Sequence, residues 1–67
     1  MDIRQRLGSN LRKQRSDRGW SQEEFADRAG IHRTYVSDLE RGSRNPTITV
    51  LDRLAKALGM EAGDLLR

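Results

Sequence analysis

The chain has 67 residues, and its 13 Lys or Arg residues against 10 Asp or Glu residues give a formal net charge of +3 at neutral pH. This length allows a single domain, residues 1–67, which buries only about 60% of the surface that its unfolded chain exposes. The absence of cysteine, and of any apolar run near the roughly 20 residues of a membrane span, predicts a soluble cytoplasmic protein without disulfide bonds or thiolate metal sites.

The first predicted element is a basic helix. Ile3, Leu7 and Leu11 recur at four-residue steps, which predicts a helix over residues 2–17 that ends before Gly19. Six of the first eighteen residues are Lys or Arg. Arginine suits bidentate contacts to phosphate and guanine, so this run points weakly to a nucleic acid, although a solvated helix face is the commoner reason for such a run.

Two further short helices are predicted on either side of Gly30. Ser21 and Glu24 have the spacing of a capping box that opens one helix, and Gly30 supplies the positive φ of the turn after it. The next helix covers residues 32–41. Together the two helices have the length and the turn of a helix-turn-helix motif, residues 21–42. Their predicted inward positions are Phe25, Ala26, Ala29, Val36, Leu39 and Glu40.

A fourth helix follows the loop that contains Pro46. Proline cannot continue a helix, so SRNPT is predicted as a loop, and Thr47 then caps a helix that Gly59 closes. The apolar stripe of this helix comprises Ile48, Leu51, Leu54, Ala55 and Leu58. The final segment, EAGDLLR, adds at most one or two turns, and no segment alternates with the two-residue period of a strand. The sequence thus predicts an all-α fold, a compact bundle of five short helices.

Four segments carry a resemblance to a known family: LGSNLRKQR, SQEEFADRAGI, RTYVSDLERG and SRNPTITVLDRLAKALGM. They resemble the Cro/C1-type (XRE-like) helix-turn-helix regulators of bacteria and phages. The resemblance implies a lambda-repressor-like DNA-binding domain, and a transcriptional regulator that binds an inverted repeat in double-stranded DNA as a homodimer. Within the family, RTY and SRN are most similar to restriction–modification controller proteins, and phage repressors and antitoxins remain alternatives.

The resemblance also implies which residues contact DNA. The N-terminal part of the second helix of such motifs reaches base edges, where arginine can pair with guanine and a carboxylate can accept from cytosine. The implied base-reading residues are Arg33, Thr34, Ser37 and Asp38. Those implied at the DNA backbone or in the minor groove are Gln22, His32, Tyr35, Arg41, Ser43, Arg44 and Asn45. A solvated position explains Asp38 about as well as a DNA contact does. Packing alone explains Tyr35 about as well as a phosphate contact does.

Three further roles follow from the resemblance. Arg15 and Glu40 correspond to an ion pair that joins the first and third helices of the family. Glu23 and Asp27 correspond to acids that meet RNA polymerase in activating phage repressors, although early acids also simply complement the helix dipole. The residues expected at a twofold dimer interface are Met60, Leu65 and Leu66, although completion of the core also explains some of them.

No catalytic or ligand chemistry is predicted. His32 is the only histidine, it has no metal-spaced partners, and no grouping of a nucleophile with a base is visible. We therefore expect no enzyme, no cofactor and no small-molecule ligand. Two alternatives of another kind remain open: a helical protein-interaction module that has lost its DNA face, and the DNA-binding part of a larger ligand-sensing protein.

Overall fold

The computed structural model describes residues 2–67, which form helices joined by short loops. Four α-helices come first in the chain, and a 3₁₀ helix ends it. The bounds are α1 (Ile3–Asp17), α2 (Gln22–Ala29), α3 (Arg33–Glu40), α4 (Ile48–Leu58) and the 3₁₀ helix (Ala62–Leu66). The all-α prediction is therefore confirmed, with the difference that the fifth element is a 3₁₀ helix. Over residues 2–67, no helix is long and apolar enough to cross a membrane.

Side chains cap the starts of three α-helices. The Asp2 carboxylate accepts from the Arg4 N–H at 2.7 Å, and the Ser21 and Thr47 hydroxyls cap α2 and α4 in the same way. Only half of the capping box predicted at Ser21 is present, because the Glu24 carboxylate accepts from Arg28 instead. These caps satisfy backbone N–H groups that a helix start leaves without partners.

The core lies where α1, α2, α3 and α4 meet the 3₁₀ helix. Its buried apolar residues are Leu7, Leu11, Phe25, Ala26, Ala29, Val36, Leu39, Leu54, Ala55, Leu58 and Leu65. Ile48, which the sequence places on the apolar stripe of α4, lies outside this core, because 86% of the residue is exposed. Ile48 is the first residue of α4, and since helical side chains point towards the N-terminus, its side chain extends beyond the core.

Helices α1 and α3 approach each other closely at Gly8. A Cβ atom at Gly8 would lie 2.5 Å from the Leu39 carbonyl oxygen and 2.8 Å from that of Glu40. Real Cβ atoms essentially never lie this close to another heavy atom, so only glycine fits at this crossing. Gly8 therefore sets how closely α3 packs on α1, a role that the sequence analysis did not assign to it.

Candidate nucleic-acid interface

A polar groove lies on the outer side of the helix-turn-helix. It has a volume of about 240 Å³, and its lining residues come from the start of α2 and from α3. These residues are Gln22, Arg33, Thr34, Ser37, Asp38 and Arg41. The groove thus brings together all four predicted base-reading residues and two of the predicted backbone contacts.

The two sides of α3 differ in burial. Arg33 and Thr34 are exposed, Ser37 is partly buried, and Val36 and Leu39 on the opposite side have no exposed surface. This arrangement follows from the helical period, which puts residues three and four apart on one face. The apolar face fixes the helix to the core, so the polar face is held outward on a rigid element.

Helix α3 begins without a capping side chain. His32 occupies its N-cap position in an extended conformation, and its side chain makes no capping hydrogen bond. The first N–H groups of a helix carry partial positive charge and favour anions such as phosphate. Of the four α-helices in the part of the chain that the structure describes, α3 alone has this uncapped start.

A hydrogen-bonded network connects the groove to α1. Arg15 Nε donates to Glu40 Oε2 at 2.7 Å, and Arg15 Nη2 donates to Glu40 Oε1 at 3.0 Å, which is bidentate geometry. Only 16% of the Arg15 side chain and 5% of the Glu40 side chain are exposed. The hydrogen bond from Arg15 to the Glu40 carboxylate raises the pKa of Arg15 above its ordinary value.

Gln22 belongs to the same network. Its Nε2 atom donates to Glu40 Oε1 at 3.1 Å, while Arg15 Nη1 donates to the Trp20 carbonyl oxygen at 2.8 Å. One N–H of the Gln22 amide is thereby directed inward. The amide carries a second N–H, which can donate to an anion placed at the start of α2.

The residues after α3 fold back onto Asp38. Its carboxylate accepts from Arg41 Nη2 at 2.5 Å, and its Oδ2 atom lies 3.8 Å from Arg44 Nε. The Ser43 hydroxyl and N–H both donate to the Asp38 carbonyl oxygen. The guanidinium of Arg44 lies over the ring of Tyr35, 4.6 Å from its centroid. The structure thus places Asp38 in contact with three of the seven predicted backbone contacts, Arg41, Ser43 and Arg44.

The remaining predicted residues lie outside the groove. Glu23 and Asp27 are exposed one turn apart on α2, and His32 and Asn45 are exposed in loops. Leu65 has no exposed surface. This burial corrects the prediction that Leu65 forms part of a dimer interface, because its side chain already packs in the core of its own chain.

An apolar groove was not predicted from the sequence. It has a volume of about 190 Å³, and it runs between the start of α1, the loop before α4 and the 3₁₀ helix. The lining residues are Ile3, Arg4, Leu7, Asn45, Pro46, Leu51 and Leu66. Exposed Ile48 follows two residues after Pro46. Met60 and Leu66, the other predicted interface residues, are partly buried against the core.

Comparisons with known proteins agree with this geometry. A family model described as helix-turn-helix matches residues 11–65. The control protein C.SmaI of Serratia marcescens is 44% identical over 66 residues, which cover 98% of this chain and 79% of that protein. The structure of the restriction–modification controller protein C.AhdI from Aeromonas hydrophila has a TM-score of 0.89 and 39% identity, over 92% of this chain and 94% of that one. A structure of SinR, the master regulator for biofilm formation, in complex with DNA has a TM-score of 0.86 and 31% identity, over 91% and 98% of the two chains.

Proposed function

We propose that this chain binds a specific sequence of double-stranded DNA and thereby controls transcription in the cytoplasm. The proposal starts from the family, because the chain belongs to the helix-turn-helix transcriptional regulators. The observation that carries this proposal is the polar groove formed by α2 and α3. Its lining residues are all polar or charged, they include Arg33 and Arg41, and the groove lies beside the uncapped start of α3. A helix with these properties suits the major groove, where its first turns meet base edges.

The groove residues divide into two kinds of contact. Arg33 and Thr34 are exposed on the first turn of α3, where arginine can pair with O6 and N7 of guanine and threonine can contact a thymine methyl group. Gln22 and the start of α3 supply N–H groups for phosphate. In this assignment the phosphate contacts fix the register of the protein on the duplex, and the side chains of α3 choose the sequence.

Selection of duplexes from a random pool tests the proposal directly. We expect the native protein to recover an inverted repeat, and Arg33→Ala to lose the preference for one base in each half-site, because one good bidentate pair contributes about 1–3 kcal/mol of discrimination. Arg12→Ala is the matched control, since Arg12 is exposed on α1 outside the groove. Enrichment of no sequence would instead favour a protein-interaction module.

A homodimer is the second part of the proposal. Two half-sites about one helical turn apart, roughly 34 Å, require two copies of the reading helix. Residues near the apolar groove offer the surface: Ile48 is 86% exposed and Ile3 is 50% exposed, and Leu66 lines the groove. Met60 lies at the other end of α4, so it contributes only if the interface extends along that helix.

Substitution at Ile48 tests this interface. We expect sedimentation to show a dimer for the native protein and a monomer for Ile48→Glu, because the new carboxylate would be buried in an apolar contact. Thr49→Glu is the control, since Thr49 is an exposed neighbour in the same turn. A native monomer at high micromolar concentration would contradict the dimer, and a dimeric Ile48→Glu variant would place the interface elsewhere.

The choice of regulatory system is a narrower proposal. The controller proteins among its relatives favour control of restriction–modification genes, with a phage repressor or an antitoxin as alternatives. Exposed Glu23 and Asp27 would serve as the contact to RNA polymerase if the protein activates transcription. A reporter assay that showed repression alone would contradict this role of Glu23 and Asp27.

A further inference from the structure

One carboxylate holds two arginines at the exit of α3. Asp38 Oδ1 accepts from Arg41 Nη2 at 2.5 Å, and Asp38 Oδ2 lies 3.8 Å from Arg44 Nε. The Asp38 side chain is 20% exposed, whereas those of Arg41 and Arg44 are 67% and 50% exposed. The acid therefore lies beneath the two guanidiniums, which face outward.

Further contacts fix this arrangement. Ser43 donates twice to the Asp38 carbonyl oxygen, from its N–H at 3.1 Å and from its hydroxyl at 3.0 Å. The guanidinium of Arg44 also lies over the Tyr35 ring. These contacts bring the loop after α3 back over the helix, so both arginines stay near the carboxylate in the free protein.

The arginines of the interface consequently differ in their electrostatic state. Asp38 neutralises half of the charge of Arg41 and Arg44 together, since the three groups sum to +1. Arg33 lines the same groove but forms no ion pair with any of residues 2–67. An arginine that already has an anionic partner gains less from phosphate than one that has none.

We propose that Asp38 is a specificity-determining residue that competes with DNA phosphate for Arg41 and Arg44. This inference rests on the proposed DNA binding and assigns a new role to one residue of the same groove. Affinity for arbitrary duplex comes from neutralising phosphates. By pairing with two arginines, Asp38 weakens binding to every sequence. Only a site whose bases form new contacts with Asp38, and so compensate for the release of the arginines, is bound tightly.

The compensating contact is a hydrogen bond between Asp38 and a base. Asp38 lines the groove next to Arg33 and Thr34, where a carboxylate accepts from the amino group of cytosine. At such a base Asp38 exchanges its arginine partners for the nucleobase, and the arginines exchange Asp38 for phosphates. At other bases, release of the arginines to phosphates would leave the carboxylate without a donor, which is costly in an interface that excludes water, so the arginines stay with Asp38.

Titration of a duplex of arbitrary sequence at several salt concentrations tests the proposal. We expect Asp38→Asn to bind this duplex several-fold more tightly than the native protein. The slope of log K against log salt should become steeper by about 1–2, since each phosphate neutralised adds roughly 0.9. Asp52→Asn is the control, because it removes the same charge and breaks an ion pair with Lys56 on α4, outside the groove.

A double-mutant cycle separates competition from simple repulsion between Asp38 and the duplex. With competition, Arg41→Ala has little effect on the arbitrary duplex in the native chain and a larger one in the Asp38→Asn background. With repulsion alone, Arg41→Ala has the same effect in both backgrounds. Equal effects would overturn the proposal, as would weaker binding by Asp38→Asn, which would mean that Asp38 arranges the arginines for DNA.

The outcomes also distinguish a failure of this inference from a failure of the proposed DNA binding. If the native protein binds no duplex at low salt, the proposed function is wrong. If it binds and Asp38→Asn matches Asp52→Asn in affinity and salt slope, only the role of Asp38 is wrong. The Arg41→Ala measurement in the native chain does not depend on the folding of the Asp38→Asn variant, and a large loss there would contradict the proposal by itself.

Discussion

Glu40→Ala is expected to lower the free energy of unfolding by about 3–5 kcal/mol, because it leaves the Arg15 guanidinium without its partner in a site with little water. Both side chains are largely buried, and the pair has bidentate geometry. For a domain of this size the loss corresponds to a melting temperature lower by at least about 12 °C. Thermal unfolding followed by circular dichroism measures it.

The exposed ion pair between Glu24 and Arg28 provides the matched control. It joins the same residue types at 2.8 Å, but its side chains are 45% and 50% exposed. Exposed pairs contribute only about 0–1 kcal/mol, so Glu24→Ala should leave the melting temperature nearly unchanged. If the melting temperature of Glu40→Ala equals that of Glu24→Ala, the buried pair does not hold α3 on α1.

The same variant tests how the ion pair affects DNA binding. Glu40 lies outside the polar groove but accepts from Gln22, which lines it. At temperatures where Glu40→Ala is folded, we expect weaker binding to all sequences with the same preferred bases, because a phosphate contact loses its support. A changed base preference would mean instead that Glu40 alters the orientation of the reading residues.

Local chemistry explains which parts of the fold could be predicted. The ends of α2 and α4 follow from Ser21, Thr47, Gly30 and Gly59, whose side chains or backbone freedom act within one turn of the chain. The polar face of α3 follows in the same way from helical period. These features depend on neighbours in sequence, so the sequence alone contains the information needed to find them.

Features that depend on distant parts of the chain were missed or misplaced. Leu65 was assigned to an interface because the residues that it packs against in the core are not its neighbours in sequence. The return of the chain against α1 brings them together. Ile48 shares the apolar stripe of α4 by its position in the helix, but the core does not extend to it. The Arg41 contact to Asp38 has ordinary i,i+3 spacing, whereas that of Arg44 depends on the course of a loop.

Gly8→Ala is the second large effect, and two opposing terms decide its sign. Alanine is favoured over glycine inside a helix by about 1 kcal/mol, and Gly8 lies in the middle of α1, so propensity predicts a more stable protein. The new Cβ would lie 2.5 Å from the Leu39 carbonyl oxygen. Overpacking of this kind typically costs about 1–3 kcal/mol, and more against rigid neighbours.

Rigidity at the crossing decides in favour of the steric term. The atoms that the Cβ would meet are backbone atoms of Leu39 and Glu40, and the Leu39 carbonyl oxygen also accepts from the Gly42 N–H at 3.1 Å. No rotamer change can relieve the contact, so α3 must move away from α1. That movement stretches the ion pair between Arg15 and Glu40, which adds to the cost.

We therefore expect Gly8→Ala to lose roughly 3 kcal/mol in the free energy of unfolding, measured by denaturant unfolding. Gly63→Ala is the matched control, because a Cβ at Gly63 meets no atom within 4 Å and the residue has no positive φ. It should be neutral or slightly stabilising. If Gly8→Ala is as stable as Gly63→Ala, α3 can move away from α1 without cost, and the position of the reading helix is not set by this crossing.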